Sequence, residues 1–247
     1  MSQFAELKEF SDRVGTVFGT EDFALMLYSL VRMQRPEVMV ELGAGCLVTS
    51  LWMALAAREN GQGKVYAVDD GSHWPQVIGN ASYPFNSDER IADYVAYVEH
   101  LKNRFDVTER LQLISQRMPP YPAIDKPVDL LFSDFSHGPQ AIISLFAHYF
   151  SRLSPSANVF IDSASTFYPS YAYLEMLVPI LNKGTIPASL LQCIGEADRD
   201  AAKAYVGSSR FTLVHLTEVK NRAQNSTAWL KIEPLDTQPY PMTSFHQ

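Results

Sequence analysis

Cysteine is scarce in this 247-residue chain, which has only Cys46 and Cys193, outside any repeated spacing. That excludes a disulfide framework and a thiolate zinc site, and both thiols are expected to be packed. Basic residues are also short, with Lys+Arg 20 against Asp+Glu 27 and a net charge of −7. A chain so balanced lacks the cationic footprint that neutralises phosphates, so no nucleic-acid partner is expected. Long apolar runs are missing. The longest uncharged stretch, Leu42 to Ala57, is broken by Gly43, Gly45, Thr49 and Ser50 and falls short of the roughly 20 residues that span a bilayer. The start, Met1-Ser2-Gln3-Phe4-Ala5-Glu6, has neither the basic nor the apolar part of an export signal, so no membrane association and a cytoplasmic location are expected. The 12 glycines and 15 prolines are too few and too scattered for a low-complexity chain. The 47% of hydrophobic residues is enough for a sizeable core in one large domain or two small ones.

Residues 1–36 read as an N-terminal helical segment that packs on or caps the core. Thr20 is the expected N-cap, with Glu21 and Asp22 in the first turn, and Ala24, Leu25, Leu27, Tyr28, Leu30 and Val31 form an apolar helical face. Residues 37–235 read as the main domain and 236–247 as an irregular tail. A strand over Glu37 to Leu42 stops at Gly43-Ala44-Gly45, a helix follows from Leu47 to Arg58, and a second strand, Lys64 to Val68, ends in Asp69-Asp70. That is one βαβ unit. Further strands are expected at Leu111 to Ser115, Val128 to Ser133 and Asn158 to Ile161. Helical faces lie between them, from Ile91 to Phe105 and from Ile142 to Leu153, and another helix runs from Tyr171 to Leu181, its last turn weakened by Pro179. Arg210 to Thr217 and Ala228 to Ile232, joined by a polar turn at Lys220 to Ser226, read as an antiparallel hairpin. The fold class is therefore α/β: a Rossmann-like, mostly parallel sheet with helices on both faces and a C-terminal antiparallel hairpin. The segment Gly71 to Arg90 has no clear period. Its two readings are a lid over the strand ends and a surface insertion.

Ligands of open parallel sheets bind beyond the carboxyl ends of the strands. Those ends carry Glu41, Gly43 and Gly45, then Asp69 and Asp70, then Ser115 to Met118, Asp134 to His137, and Asp162 to Ser165. Glycines let the backbone approach a ligand closely, and the acid that follows Gly45 by 24 residues is placed to grip a ribose diol. A nucleoside is implied. The dinucleotide pattern Gly-x-Gly-x-x-Gly fails at Val48, and a carboxylate at Glu41 opposes a pyrophosphate while suiting an ammonium group. The charge pattern favours S-adenosylmethionine over NAD.

With Val38 to Gly45, Val65 to Asp69 and Val128 to Asp134 in this order, the chain resembles the class I S-adenosylmethionine-dependent methyltransferases from about Glu37 to Ile232. The resemblance implies that the glycine turn lies under the methionine part, that Asp69 binds the ribose, and that Gln116 to Met118 hold the adenine. The implied cofactor set is Glu41, Gly43, Ala44, Gly45, Asp69, Asp70, Gln116, Arg117, Met118, Asp134 and Phe135. A capping or solvated role for Asp70 stands beside the adenosine contact. Leu47 replaces a frequent third glycine, and Ser115-Gln116 stand where the adenine loop usually has an acid.

Methyl transfer needs in-line positioning of the acceptor and removal of its proton. His137 is the expected base and Asp162 its runner-up, with Asp134 placed to orient His137, touch the ligands or cap a helix, and Ser163 and Ser165 as polar partners. Asp134 and Asp162 also resemble the aspartate pair of the metal-dependent, catechol-type branch. Ser163 replaces the Asn that usually follows there, so no metal is expected. Phe135 and Tyr168 are candidate acceptor-pocket residues among the aromatics Trp74, Phe167, Tyr171 and Tyr173. The acceptor is expected to be a small molecule methylated on oxygen or nitrogen. A lyase or cyclase that consumes S-adenosylmethionine and releases methylthioadenosine is the alternative on the same fold. A homodimer is one assembly this reading leaves open.

Overall fold

The computed structural model describes residues 2–14, 21–79, 90–217 and 226–235. The Thr20 cap, residues 80–89 of the 71–90 segment, the turn before Ser226 and the 236–247 tail lie outside them. The chain divides into two compact units, one built from Met1–Ser136 and one from His137–Thr217 and the strand after it.

In the first unit, α1 (Gln3–Val14) and α2 (Glu21–Gln34) precede β1 (Val38–Leu42), α3 (Val48–Asn60), β2 (Lys64–Val68), α4 (Trp74–Ile78), α5 (Tyr94–Arg104), β3 (Leu111–Ile114) and β4 (Val128–Ser133). All the strand pairings here are parallel, in the order β3-β2-β1-β4. The chain runs outward to β3 and returns to the other side of β1, so strand order reverses between β1 and β4, the position where such sheets open a crevice. Every residue of β1 is buried, as expected of a strand covered on both faces. The Asp129 carboxylate holds its start by accepting from the amides of Glu37 and Val38 at 2.9 Å each. Val48 to Ala57 of α3 are buried without a break. α1 and α2 both pack on α3. Leu7, Phe10, Ser11 and Val14 form the buried stripe of α1, and Trp52 of α3 donates its indole proton to Ser11 Oγ at 2.9 Å. A buried indole N–H needs such an acceptor.

The second unit holds α6 (Pro139–Tyr149), β5 (Leu153–Asp162), α7 (Tyr168–Leu181), α8 (Ala188–Cys193), α9 (Arg199–Gly207), β6 (Ser209–Thr217) and β7 (Ser226–Pro234). Its strands run β5-β7-β6, antiparallel throughout. The expected α/β, Rossmann-like pattern and its terminal hairpin are present, with differences in detail. Leu153, expected on a helix, opens β5, because α6 ends at Tyr149 in a turn closed by Arg152 N–H to the Tyr149 carbonyl. Pro155 lies before the ladder with β7, which starts at Asn158; proline cannot donate to a ladder. α8 and α9 were not expected, since each buries only one or two side chains. No helix spans residues 115–127, where four prolines stand between β3 and β4. Cys46 is buried as expected, but Cys193 is exposed at the end of α8.

Candidate functional site

The turn after β1 depends on left-handed backbone at Gly43 (φ +87), Gly45 (φ +48) and Leu47 (φ +66). Gly43 serves the sheet: a Cβ there would come within 2.6 Å of the Asp134 carbonyl. Its amide donates to Val68 O, and the Asp134 amide donates to Leu42 O. Gly45 differs, because a Cβ built on it meets nothing within 4 Å. This open side of a left-handed turn is a place where a ligand can approach backbone. Ala44, largely buried, closes the turn by accepting from Leu47 N–H at 2.7 Å.

Asp69, half-buried at the end of β2, faces this turn. Its Oδ2 accepts from Gly45 N–H at 3.0 Å and its Oδ1 from Gly71 N–H at 2.7 Å. A carboxylate has about four acceptor sites, so two further hydroxyl donors fit on it. Asp70 is exposed and accepts from Ser72 N–H at 2.9 Å. That bond, with smaller contributions from Arg117 and His73, holds its carboxyl below the usual range. Asp70 thus braces its own turn, and caps no helix, since the α4 N-cap is His73 without a side-chain bond. Gln116 Nε2 donates to Pro120 O, so the amide nitrogen folds its own loop, and the acceptor oxygen is the end that suits an adenine amino group. Arg117 is exposed and Met118 half-buried. The Phe135 ring packs edge-on against Tyr121 at 5.9 Å.

Glu41 departs from its expected form. It is only 2% exposed and accepts from Ser50 Oγ of α3. Burial pushes its carboxyl from an ordinary 4.5 up to about 8, against the lowering effect of Ser50, and the Asp69 charge adds to the rise. At neutral pH the free protein keeps it mostly protonated, so the charge at the end of β1 that was expected to repel a pyrophosphate is largely absent. Between about pH 4.5 and about 8 the folded state holds a proton that the unfolded chain releases, and stability falls as pH rises through this window. Glu41→Gln is expected to flatten that fall and to be more stable than the parent at pH 8. The upper bound is about 5 kcal/mol, at ~1.4 kcal/mol per pKa unit. Urea unfolding of both proteins from pH 5 to pH 8 checks this; parallel profiles would contradict it.

Trp74, one of the aromatics to which the sequence assigns no pocket role, is 3% exposed and packs on Tyr97 with ring centroids 4.1 Å apart. The beginning of the 71–90 segment is thus anchored in the core, because Trp74 and Val77 of α4 are buried. The sequence reading also missed three residues that support the site: Ser50, and Tyr94 and Tyr97, whose hydroxyls donate to the carbonyls of Gly45 (2.9 Å) and Cys46 (3.2 Å). Tyr94 was legible, but as part of an ordinary apolar helical face, and Tyr97 was not singled out.

The second unit carries the base candidate. His137 Nδ1 lies 3.2 Å from the Asp162 carbonyl oxygen and 3.7 Å from its Oδ2. Ser170 Oγ donates to the His137 carbonyl. Asp162 is 2% exposed, and its Oδ2 accepts from Ser163 Oγ at 2.8 Å. Ser165 is placed elsewhere, bonded to His215 Nδ1 and to the Thr227 carbonyl. Tyr168 is 76% exposed. Tyr171 stacks near His215 at 4.5 Å, and Tyr173 is half-buried.

Comparison with known proteins bears on the family and the fold. The family model for the methyltransferase domain matches residues 40–164, and the chain belongs to that family. A search of curated proteins gives no match. Among solved structures, the fold is similar to a methyltransferase from Geobacter sulfurreducens at 13% identity and TM-score 0.51, covering 94% of this chain and 89% of the other. It is similar also to cofactor-bound Rv0187 from MTB, at 13% identity and TM-score 0.51 over 94% and 90%. A third is the O-methyltransferase TomG from Streptomyces achromogenes, involved in tomaymycin synthesis and solved with S-adenosylmethionine, at 11% identity and TM-score 0.50 over 94% and 90%. The resemblance drawn from the motifs therefore holds: the chain is a class I S-adenosylmethionine-dependent methyltransferase.

Proposed function

We propose that the enzyme methylates an oxygen or nitrogen of a small organic acceptor, with His137 as the base. S-adenosylmethionine, when bound, supplies an electrophilic methyl group on a sulfonium. The backbone of Gly43, Ala44 and Gly45 would lie under its amino-acid end, and Asp69 would accept from the ribose hydroxyls. Gln116, Arg117 and Met118 would flank the adenine, with Asp134 and Phe135 completing the contacts. An ammonium group near Glu41 would favour its ionised form, so a cationic ligand would regain the charge that burial suppresses.

The observation that carries the catalytic part is the tautomer set on His137. A backbone carbonyl only accepts, so the contact at 3.2 Å places the proton of the neutral ring on Nδ1 and its lone pair on Nε2. Nε2 then takes the acceptor's proton, and the Asp162 carboxylate, 3.7 Å from Nδ1, favours the imidazolium that results. Asp162 is thus a positioning residue and not the base. Because the Ser163 hydroxyl donates to Asp162 Oδ2, where a metal-binding amide would offer a carbonyl oxygen, the reaction needs no metal. TomG's involvement in tomaymycin synthesis gives a precedent on the same fold for an oxygen acceptor. The acidic net charge of −7 accords with small-molecule chemistry in the cytoplasm away from nucleic acid, and no helix among the described residues is long and apolar enough to cross a membrane.

The test is to incubate the protein with S-adenosylmethionine alone and with a metabolite extract, and to read nucleosides by mass spectrometry. S-adenosylhomocysteine is expected only with the extract and unchanged by EDTA. Methylthioadenosine from S-adenosylmethionine alone would show a lyase or cyclase instead, and loss with EDTA restored by magnesium would overturn the metal-independent step.

A further inference from the structure

Leu47 makes the glycine turn costly to hold. It is fully buried in left-handed backbone at φ +66, a conformation that disfavours a residue with a side chain by ~1–2 kcal/mol. Such a turn keeps its shape only where its surroundings fix it. The Gly45 peptide is fixed at both ends: its N–H donates to Asp69 Oδ2 at 3.0 Å, and its carbonyl accepts from the Tyr94 hydroxyl at 2.9 Å. Tyr94 also fills the space beside Gly71, where a built Cβ would lie 2.8 Å from the tyrosine's Cβ and ring. Gly71 N–H supplies the other bond to Asp69, at Oδ1. One buried side chain, 7% exposed, thus touches both peptides whose amides orient the Asp69 carboxylate.

We infer that Tyr94 is a positioning residue of the cofactor site: it holds the glycine turn and, through Gly45 and Gly71, aims the Asp69 carboxylate at the ribose. The inference rests on the ribose role proposed for Asp69. Tyr94→Phe removes only the hydroxyl, and loss of one such bond should weaken S-adenosylhomocysteine binding by about 3- to 10-fold. Because Tyr94 acts through Asp69, the same change made in an Asp69→Asn background should alter affinity by less than about twofold. Tyr205→Phe, which removes a comparable bond from a tyrosine hydroxyl to the Ser154 carbonyl (2.8 Å), is the control: it should lower the thermal midpoint and leave the affinity unchanged.

The experiment is calorimetric titration of S-adenosylhomocysteine into the parent, the three single variants and the Tyr94→Phe, Asp69→Asn double variant, with thermal midpoints measured beside it. Gly71→Ala, which forces a methyl group against Tyr94 from the other side, is expected to weaken binding as well. An affinity for Tyr94→Phe within twofold of the parent would overturn the inference. So would an undiminished effect in the Asp69→Asn background. If the parent binds S-adenosylhomocysteine and Asp69→Asn binds it equally well, the ribose role of Asp69 fails instead.

Discussion

Replacing His137 by alanine is expected to leave S-adenosylhomocysteine affinity within about twofold and to slow S-adenosylhomocysteine formation by ~10²- to 10⁴-fold, the usual range for loss of a general base. The reaction to measure is the one supported by a metabolite fraction, at saturating S-adenosylmethionine. The alanine chain keeps the backbone carbonyl that accepts from Ser170 Oγ, so the local turn survives and the loss belongs to the ring. Asp162→Asn separates the two parts of Asp162's role. It retains the main-chain carbonyl that sets the tautomer and removes the carboxylate 3.7 Å from Nδ1, so a smaller loss of turnover is expected. Unchanged turnover in His137→Ala would mean that the proton leaves by another route, and a large loss of cofactor affinity would mean that the ring supports the binding site and not the reaction.

The elements legible in the sequence are those whose pattern is local. β1 and β2 are short runs, apolar but for Glu41 and Lys64, that stop at glycine or aspartate, and the observed bounds of β2, Lys64–Val68, are those the sequence predicts. Asp69 was legible for the same reason, as the first polar residue after a buried strand. What stayed hidden depends on contacts distant in the chain. Glu41 reads as a charged strand end, and only its burial under α3, with Ser50 as donor, makes it a mostly protonated acid. Tyr94 is 49 residues from the Gly45 carbonyl that its hydroxyl meets, and no local pattern separates a tyrosine that packs from one that also donates. Trp74 stayed without an assigned role because its segment has no period; its indole donates to the Ile91 carbonyl at 3.1 Å and its ring is part of the core. For His137 the residue type was legible, but not that its Nδ1 lies 3.2 Å from the Asp162 carbonyl, 25 residues on.

On the proposed reading Asp69 holds the nucleoside. Charge-assisted bonds contribute about 1.5–3 kcal/mol, so Asp69→Ala is expected to weaken cofactor binding by roughly 10- to 150-fold at ~1.4 kcal/mol per decade. The change also frees the amides of Gly45 and Gly71, so a lower thermal midpoint is expected with it. Asp70, exposed and bonded to the Ser72 amide, should matter little despite being the adjacent acid. Calorimetric titration of S-adenosylhomocysteine into folded parent, Asp69→Ala and Asp70→Ala chains is the direct measurement. Tight binding by the parent is expected, with a loss of about one to two decades for Asp69→Ala and less than about threefold for Asp70→Ala. A silent Asp69→Ala beside a damaging Asp70→Ala would contradict that reading.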